Sequence, residues 1–266
     1  MPIRSPRAGR LDLRQPFLRC EALAAGLTDL ALSGPAFRQL FWGVHVSASV
    51  PHSFALRCQA ALLVAPSPAV LTHHTAAALW EATVPESPTI HVGIPVGARL
   101  RAEGITTHRY VVMPPSVVRG GLGISAHERT FCDLAALLTL VDLVVLGDSL
   151  VAQQVTTPQR LVEASVDASG RGARLARRAA RLVRAGVESP METRVRLLFV
   201  LAGLPEPVVN LAVRDETGRT VYRIDLSFPD LRLAIEYDGR HHVVREHQWR
   251  KDLTRREELE GDGWRF

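Results

Sequence analysis

Two runs near the C-terminal end of the chain combine strand-like alternation with acidic residues at their centres. The run 219–228 places Asp225 on the face opposite to its apolar residues, and the run 231–239 does the same for Glu236 and Asp238. Successive side chains of a strand point to opposite faces. Because only a short turn joins the two runs, we expect neighbouring strands that bring Asp225 and Glu236 side by side.

Carboxylates crowded in this way repel each other, and a divalent cation would offset that repulsion. Mg²⁺ or Mn²⁺ suits oxygen ligands, and Mg²⁺ retains water that can be activated against a phosphodiester. The alternative is a pair of surface acids neutralised by Arg223 and Arg232. Aspartate is disfavoured in the middle of a strand, which favours the metal site.

The elements around these runs have a recognisable order. A helix begins near Pro190, three extended runs follow, and a second helix is predicted over about 245–260. This order, with Asp on the second strand and an E-x-D-G motif on the third, resembles the PD-(D/E)xK nuclease superfamily. Within it, the segment is most similar to the uncharacterised family grouped with very-short-patch-repair endonucleases. The matching residues are Glu192, Asp225, Glu236 to His242, Asp252, Arg255, Leu259, Glu260, Gly263 and Trp264.

The resemblance implies a restriction-endonuclease-like αβββαβ core over 188–266 and metal-dependent cleavage of DNA. Asp225 and Glu236 would be the metal ligands, and Glu192 would orient a water or complete the metal site. Asp238 stands where many relatives have lysine, and an aspartate cannot stabilise a developing anion as lysine does. His242 is the first candidate to replace it.

Further candidates for the lysine role are His241 and Lys251, the only lysine of the chain. Arg240 and Arg255 are predicted to contact phosphate. The sequence reaches Phe266 where the last strand of such a core should be starting, so we expect that strand to be truncated.

An arginine-rich helix is predicted over about 171–184 and is interpreted as a linker spanning 166–187. Its spacing of three and four residues aligns four basic side chains on one face: Arg174, Arg177, Arg178 and Arg181. Like charges this close destabilise a helix, and a phosphate backbone would offset them. A solvated linker helix is the alternative.

The N-terminal half is divided into a basic arm (1–15), a winged-helix-like segment (16–50) and a mixed α/β region (51–165). The order of short helices and a hairpin is typical of a winged helix, and a plain three-helix subdomain is the alternative. Residues 17–150 resemble AbiEi-type antitoxins and transcriptional regulators. The matching segments are Ala22 to Leu27, Arg38 to Val46, Leu71 to Ala77, and Glu128 to Ala135.

His73 and His74 are adjacent histidines at the start of a predicted helix. Neighbouring helical residues point about 100° apart, so the two should not share one metal ion. A capping or solvated role is expected instead.

Composition and charge set limits on the functions that remain. The segment 188–266 holds 13 Lys+Arg against 15 Asp+Glu, whereas the rest of the chain holds 19 against 12. The basic surplus therefore lies upstream of the acidic runs, as expected for a protein that binds nucleic acid in one part and a cation in another. Three dispersed cysteines and the absence of a long apolar run indicate a cytoplasmic protein with no membrane partner.

The expected fold class is therefore α+β or α/β, with a winged-helix and mixed α/β region before the nuclease-like core. The favoured function is a metal-dependent DNA endonuclease. The alternative is a non-catalytic DNA-binding regulator or antitoxin that pairs with a cognate toxin or with a second copy. A DNA-independent interaction protein is a third possibility.

Overall fold

The computed structural model describes residues 11–214, 217–237, 256–257 and 259–266. The protein has an α+β fold, with nine helices and eleven strands named in the described ranges. The chain divides into two compact units, residues 1–137 and 138–266.

The first unit begins with short elements around a three-stranded antiparallel sheet of order β1-β3-β2. Thr28 caps the second helix by accepting a hydrogen bond from the Ala31 amide, and Ser53 caps the third in the same way through Leu56. Helix, turn, helix and hairpin follow in the expected order, although α2 is a single turn. The elements are β1 (Phe17–Leu18), α1 (Arg19–Ala24), α2 (Asp29–Leu32), β2 (Phe37–Phe41), β3 (Val44–Ser47) and α3 (Phe54–Val64).

A five-stranded mixed sheet of order β6-β5-β4-β8-β7 forms the rest of this unit. Strand β5 of this sheet buries Ile90, Val92 and Ile94 on its apolar face. Its neighbour β6 runs parallel to it, although only nine residues connect the two strands. The elements are β4 (Val70–Leu71), α4 (His73–Leu79), β5 (Ile90–Pro95), β6 (Ile105–Tyr110), β7 (Ser116–Arg119), β8 (Leu122–Ser125) and α5 (His127–Leu134).

The second unit begins with four helices: α6 (Leu140–Ala152), α7 (Pro158–Val166), α8 (Ala173–Ala180) and α9 (Pro190–Leu201). Within the described ranges, no helix combines the length and the apolar character needed to cross a bilayer.

A three-stranded antiparallel sheet of order β11-β10-β9 completes the second unit. Its strands are β9 (Val208–Arg214), β10 (Thr220–Phe228) and β11 (Leu233–Ile235), and a 3₁₀ turn over Pro229–Leu231 joins the last two. Phe228 packs edge-to-face against Phe199 of α9, with ring centroids 5.6 Å apart. The helix and the sheet are thereby fixed to each other.

Arg265 lies alongside β11 in parallel orientation, opposite Leu233. Its amide donates to the Arg232 carbonyl and its carbonyl accepts from the Ala234 amide, both at 2.8 Å. This is where the sequence analysis expected the last strand of the core to begin.

Two expectations about the middle of the chain need correction. The arginine-rich helix is not a linker, because α8 packs on α6 and α7 through buried alanines at 173, 176, 179 and 180. The division into units falls at Leu137 instead of near residues 166–187.

A buried ion pair connects the helices of the second unit. Arg196 of α9 is fully buried and donates to Asp148 Oδ2 of α6 at 2.9 Å. The same guanidinium reaches the Leu182 carbonyl at 2.9 Å and Glu206 at 2.8 Å. Asp148 also accepts from Thr193 Oγ1 and from the Arg184 amide. One network therefore joins α6, α9 and the segment that follows α8.

Arg196→Ala should destabilise the protein by about 3–5 kcal/mol, because it leaves the buried Asp148 carboxylate without its cation. Arg194→Ala on the same helix is the matched control. Arg194 pairs with Asp142 at 2.9 Å, but its side chain is 42% exposed. Arg194→Ala should lower the free energy of unfolding by less than about 1 kcal/mol. Urea denaturation measures both, and equal losses would contradict the role assigned to the buried pair.

Candidate functional site

Asp225 lies in β10, and Glu236 directly follows β11, the strand that pairs with β10. Leu226 pairs with Ile235 and Ser227 with Ala234 across β10 and β11. Carried one residue further, this antiparallel register sets Asp225 opposite Glu236. Residues directly opposite each other are about 4.5–5.5 Å apart at their α-carbons and share one face of the sheet.

Glu236 and Arg232, two residues at this edge of the sheet, each form a hydrogen bond to an uncharged group. Glu236 is exposed, and its Oε1 accepts a hydrogen bond from the Tyr222 hydroxyl. The Arg232 guanidinium donates to the backbone carbonyl of Asp262 instead of to a carboxylate. Asp225 is half-buried.

The donor chemistry of this pair fits a hard divalent cation such as Mg²⁺, which prefers oxygen ligands and keeps part of its water shell. Glu192 does not join the pair in the structure. Its buried carboxylate accepts from the Glu188 amide at 2.9 Å, and its own amide donates to Ser189 Oγ at 3.2 Å. These two bonds form the start of α9, so in this structure Glu192 is committed to a capping role.

The remaining residues of the predicted catalytic set lie outside the described residues. These are Asp238, Arg240, His241, His242, Lys251 and Arg255. The roles given to them stay predictions.

The predicted arginine face lines a groove of about 510 Å³. Because the alanines of α8 are buried against its neighbours, the helix turns its long basic side chains the other way. Leu182 and two residues of α9, Val200 and Leu201, form the apolar part of the lining. The basic part consists of Arg174, Arg177, Arg178 and Arg181.

The four arginines do not have the same role. Arg177 donates to the Ala168 carbonyl at 2.9 Å and to carbonyls at the end of α7. It therefore caps α7. Arg174, Arg178 and Arg181 are exposed, and none takes part in an ion pair among the described residues. Three positive charges are thus available to an anionic partner.

A cluster of histidines in the first unit is the site that the sequence analysis missed. His91 of β5 and His108 of β6 lie on one face of the sheet, and His91 Nδ1 is 2.9 Å from His108 Nε2. The His73 ring stacks on the His108 ring with centroids 3.5 Å apart. The His74 ring lies 4.9 Å from that of His91.

The expectation that His73 is a capping or solvated residue is wrong. His73 is 7% exposed and has a φ of +50°, so it does not follow the helical geometry assumed for adjacent residues. A left-handed backbone costs a non-glycine residue about 1–2 kcal/mol. This backbone brings both His73 and His74 close to His91. Strain of this kind is often found at functional sites.

All four imidazoles have lowered pKa values. Burial is the main cause at His73, whose pKa falls to about 2, with repulsion from His108 and His91 adding to it. Burial likewise lowers the pKa of His91 and of His108 to about 4. The pKa of His74 is lowered by burial as well. The cluster is therefore neutral near pH 7, with its nitrogen lone pairs available.

Comparison with known proteins connects the chain to two uncharacterized proteins of Mycobacterium tuberculosis. It is 28% identical over 192 residues to MT2308 of strain CDC 1551 / Oshkosh and to Rv2248 of strain ATCC 25618 / H37Rv. The match covers 71% of this chain and 70% of each relative. No family model matches the chain.

Among solved structures, the crystal structure of the RV2827C protein from Mycobacterium tuberculosis aligns with 76% of this chain and 84% of its own. The TM-score is 0.44 and the sequence identity is 14%.

The histidine cluster should make stability fall as the pH is lowered. The unfolded pKa of histidine is about 6.5, so between about pH 4 and 6.5 the unfolded chain binds more protons than the folded chain. The stability that the neutral histidines contribute is fully present above about pH 6.5. It is lost as the pH falls toward the histidine pKa values of the folded protein. Between about pH 7.5 and 5.5, His73 and His91 should each lower the free energy of unfolding by roughly 1–1.5 kcal/mol.

Urea denaturation at the two pH values measures this loss. His52→Gln is the control, because His52 is exposed in the same unit, and its pH dependence should match that of the wild type. A wild-type stability that does not change over this interval would contradict the neutral cluster.

Proposed function

We propose that the protein is a divalent-metal-dependent endonuclease that cleaves DNA in the cytoplasm. The observation that supports the proposal is the register of β10 and β11, which would set Asp225 opposite Glu236 if it continues one residue past the end of β11. The order of α9, three antiparallel strands and a parallel contact at Arg265 also supports it.

In this proposal Asp225 and Glu236 hold the cation through one carboxylate oxygen each. When bound, Mg²⁺ lowers the pKa of a coordinated water and neutralises charge on the phosphodiester. The half-buried position of Asp225 strengthens its attraction to a cation.

The arginine groove supports DNA as the substrate. Its exposed members, Arg174, Arg178 and Arg181, occupy successive turns of one helix and can follow a phosphate backbone. The first unit, with its helix–turn–helix and hairpin order, would supply targeting.

A second candidate is a DNA-binding regulator or antitoxin without catalysis, partnered by a toxin or a second copy. The commitment of Glu192 to the start of α9 favours it, because the carboxylate pair then lacks the third acid expected from the resemblance. Cleavage assays separate the two candidates.

Asp225→Asn and Glu236→Gln should each reduce nicking of supercoiled plasmid by at least about 100-fold in Mg²⁺ or Mn²⁺. Both substitutions keep the side-chain shape and remove one negative charge from the cation site. The rate of conversion to open-circular plasmid is the measurement, with a chelator as the metal-free reference.

Asp230→Asn is the matched control, since Asp230 is an exposed acid in the turn between the same two strands. It should cleave at the wild-type rate. A folded wild-type protein that binds duplex but does not cut it with either metal would contradict the endonuclease and support the regulator.

Removing two groove arginines together, by Arg178→Ala and Arg181→Ala, should flatten the salt dependence of DNA binding. Each lost phosphate contact reduces the slope of log K against log salt concentration by about 0.9. The magnitude of this slope should therefore be smaller by about 2 in the double variant. Fluorescence anisotropy with a labelled duplex measures the binding constants.

Arg171→Ala serves as the control because Arg171 is exposed just before α8 and does not line the groove. Its slope should stay at the wild-type value. If the double variant and the control bind alike at every salt concentration, the groove is not the phosphate-binding surface.

A further inference from the structure

We propose that His73, His91 and His108 form a binding site for one divalent transition metal of the zinc class. The site lies in the first unit and shares no residue with the carboxylate pair. Each histidine offers one nitrogen, and the three atoms lie within 4.8 Å of one another.

The spacing of the nitrogens is close to that of a metal site. Zinc–imidazole bonds of about 2.0–2.1 Å in a tetrahedron separate two ligand nitrogens by roughly 3.4 Å. His91 Nδ1 and His108 Nε2 are already 2.9 Å apart. His73 would supply the third nitrogen, which lies within 4.8 Å of the other two, and the fourth position would be left for water.

Side-chain hydroxyls beside two of the ring nitrogens are compatible with the tautomers that a metal needs. Ser87 Oγ lies 2.9 Å from His91 Nε2, so that nitrogen can carry the proton while Nδ1 faces the ion. Thr72 Oγ1 lies 3.1 Å from His73 Nδ1, which directs Nε2 toward the ion. Hydrogen bonds of this kind orient metal-ligating histidines in proteins.

The backbone is shaped to bring the three rings together. The His91 amide donates to Thr75 Oγ1 at 2.8 Å, which fixes α4 against β5. Gly93 has no room for a side chain, because a Cβ would lie 2.7 Å from the Tyr110 ring and 2.9 Å from Thr72 Cγ2. Together with the left-handed backbone at His73, this close approach places α4 directly over the histidine face of β5 and β6.

The charges near the histidine cluster are compatible with a metal cation bound by imidazole nitrogens. Arg129 is the nearby positive group, and Asp133 neutralises it through an ion pair of 2.8 Å. Tyr110 donates a further hydrogen bond to the same carboxylate. Uncharged nitrogen ligands with no carboxylate among them favour zinc, copper, nickel or cobalt over Mg²⁺.

Titration of the metal-stripped full chain with Zn²⁺, in competition with a chromophoric chelator, tests the proposal. We expect one tightly held Zn²⁺ per chain. His91→Gln and His108→Gln should each weaken binding at least tenfold, and the exposed His52→Gln should not change it. The three histidines share no residue with the carboxylate pair, so the result is independent of the proposed nuclease.

X-ray absorption of the Zn²⁺-loaded wild type provides a readout that does not depend on the folding of variants. Three imidazoles at about 2.0–2.1 Å are expected around the ion. Absence of saturable binding, equal weakening by His52→Gln, or a first shell with fewer than three imidazoles would overturn the proposal. The cluster would then be a neutral, hydrogen-bonded packing element.

Discussion

The second unit depends on the ion pair between Arg196 and Asp148. A guanidinium and a carboxylate removed from water at 0% and 2% exposure require partners in fixed positions, since an unpaired buried charge costs several kcal/mol. Arg196 meets that requirement by also binding the Leu182 carbonyl and Glu206. The pair therefore fixes α9 relative to the end of α8. Residues from these two elements line the groove. The ion pair therefore maintains the spacing of the groove arginines, although none of them belongs to it.

The pairing of β10 with β11 could be predicted because the information that specifies it is local. A hairpin with a short turn has few possible registers, and the alternation of buried Ile224 and Leu226 selects one of them. The role of Glu192 could not be found in this way. Ser189 followed three residues later by glutamate is a helix-start signal, and that signal competes with the acid's match to a nuclease motif. In the structure, Glu192 forms hydrogen bonds at the start of α9.

The histidine cluster was beyond sequence reasoning for two physical reasons. His91 and His108 become neighbours through a parallel pairing joined by nine residues, whereas such a short connection favours an antiparallel hairpin. His73 joins them through a positive φ, which is uncommon for residues other than glycine. Each strand did show a histidine on its polar face. The missing information was which strands pair, and in which direction.

The two candidate metal sites differ in ways that suit different tasks. Exposed Glu236, at the end of a strand, holds an oxygen ligand where a polymer can approach. Hard oxygen ligands and open water positions are what hydrolysis of a phosphodiester requires. The imidazoles of His73 and His91 are almost fully buried between α4 and the sheet, where a nucleic acid cannot enter. A metal ion bound there would stabilise the fold, because it would join the strained first residue of α4 to the strands β5 and β6. Structural zinc stabilises small domains in the same way.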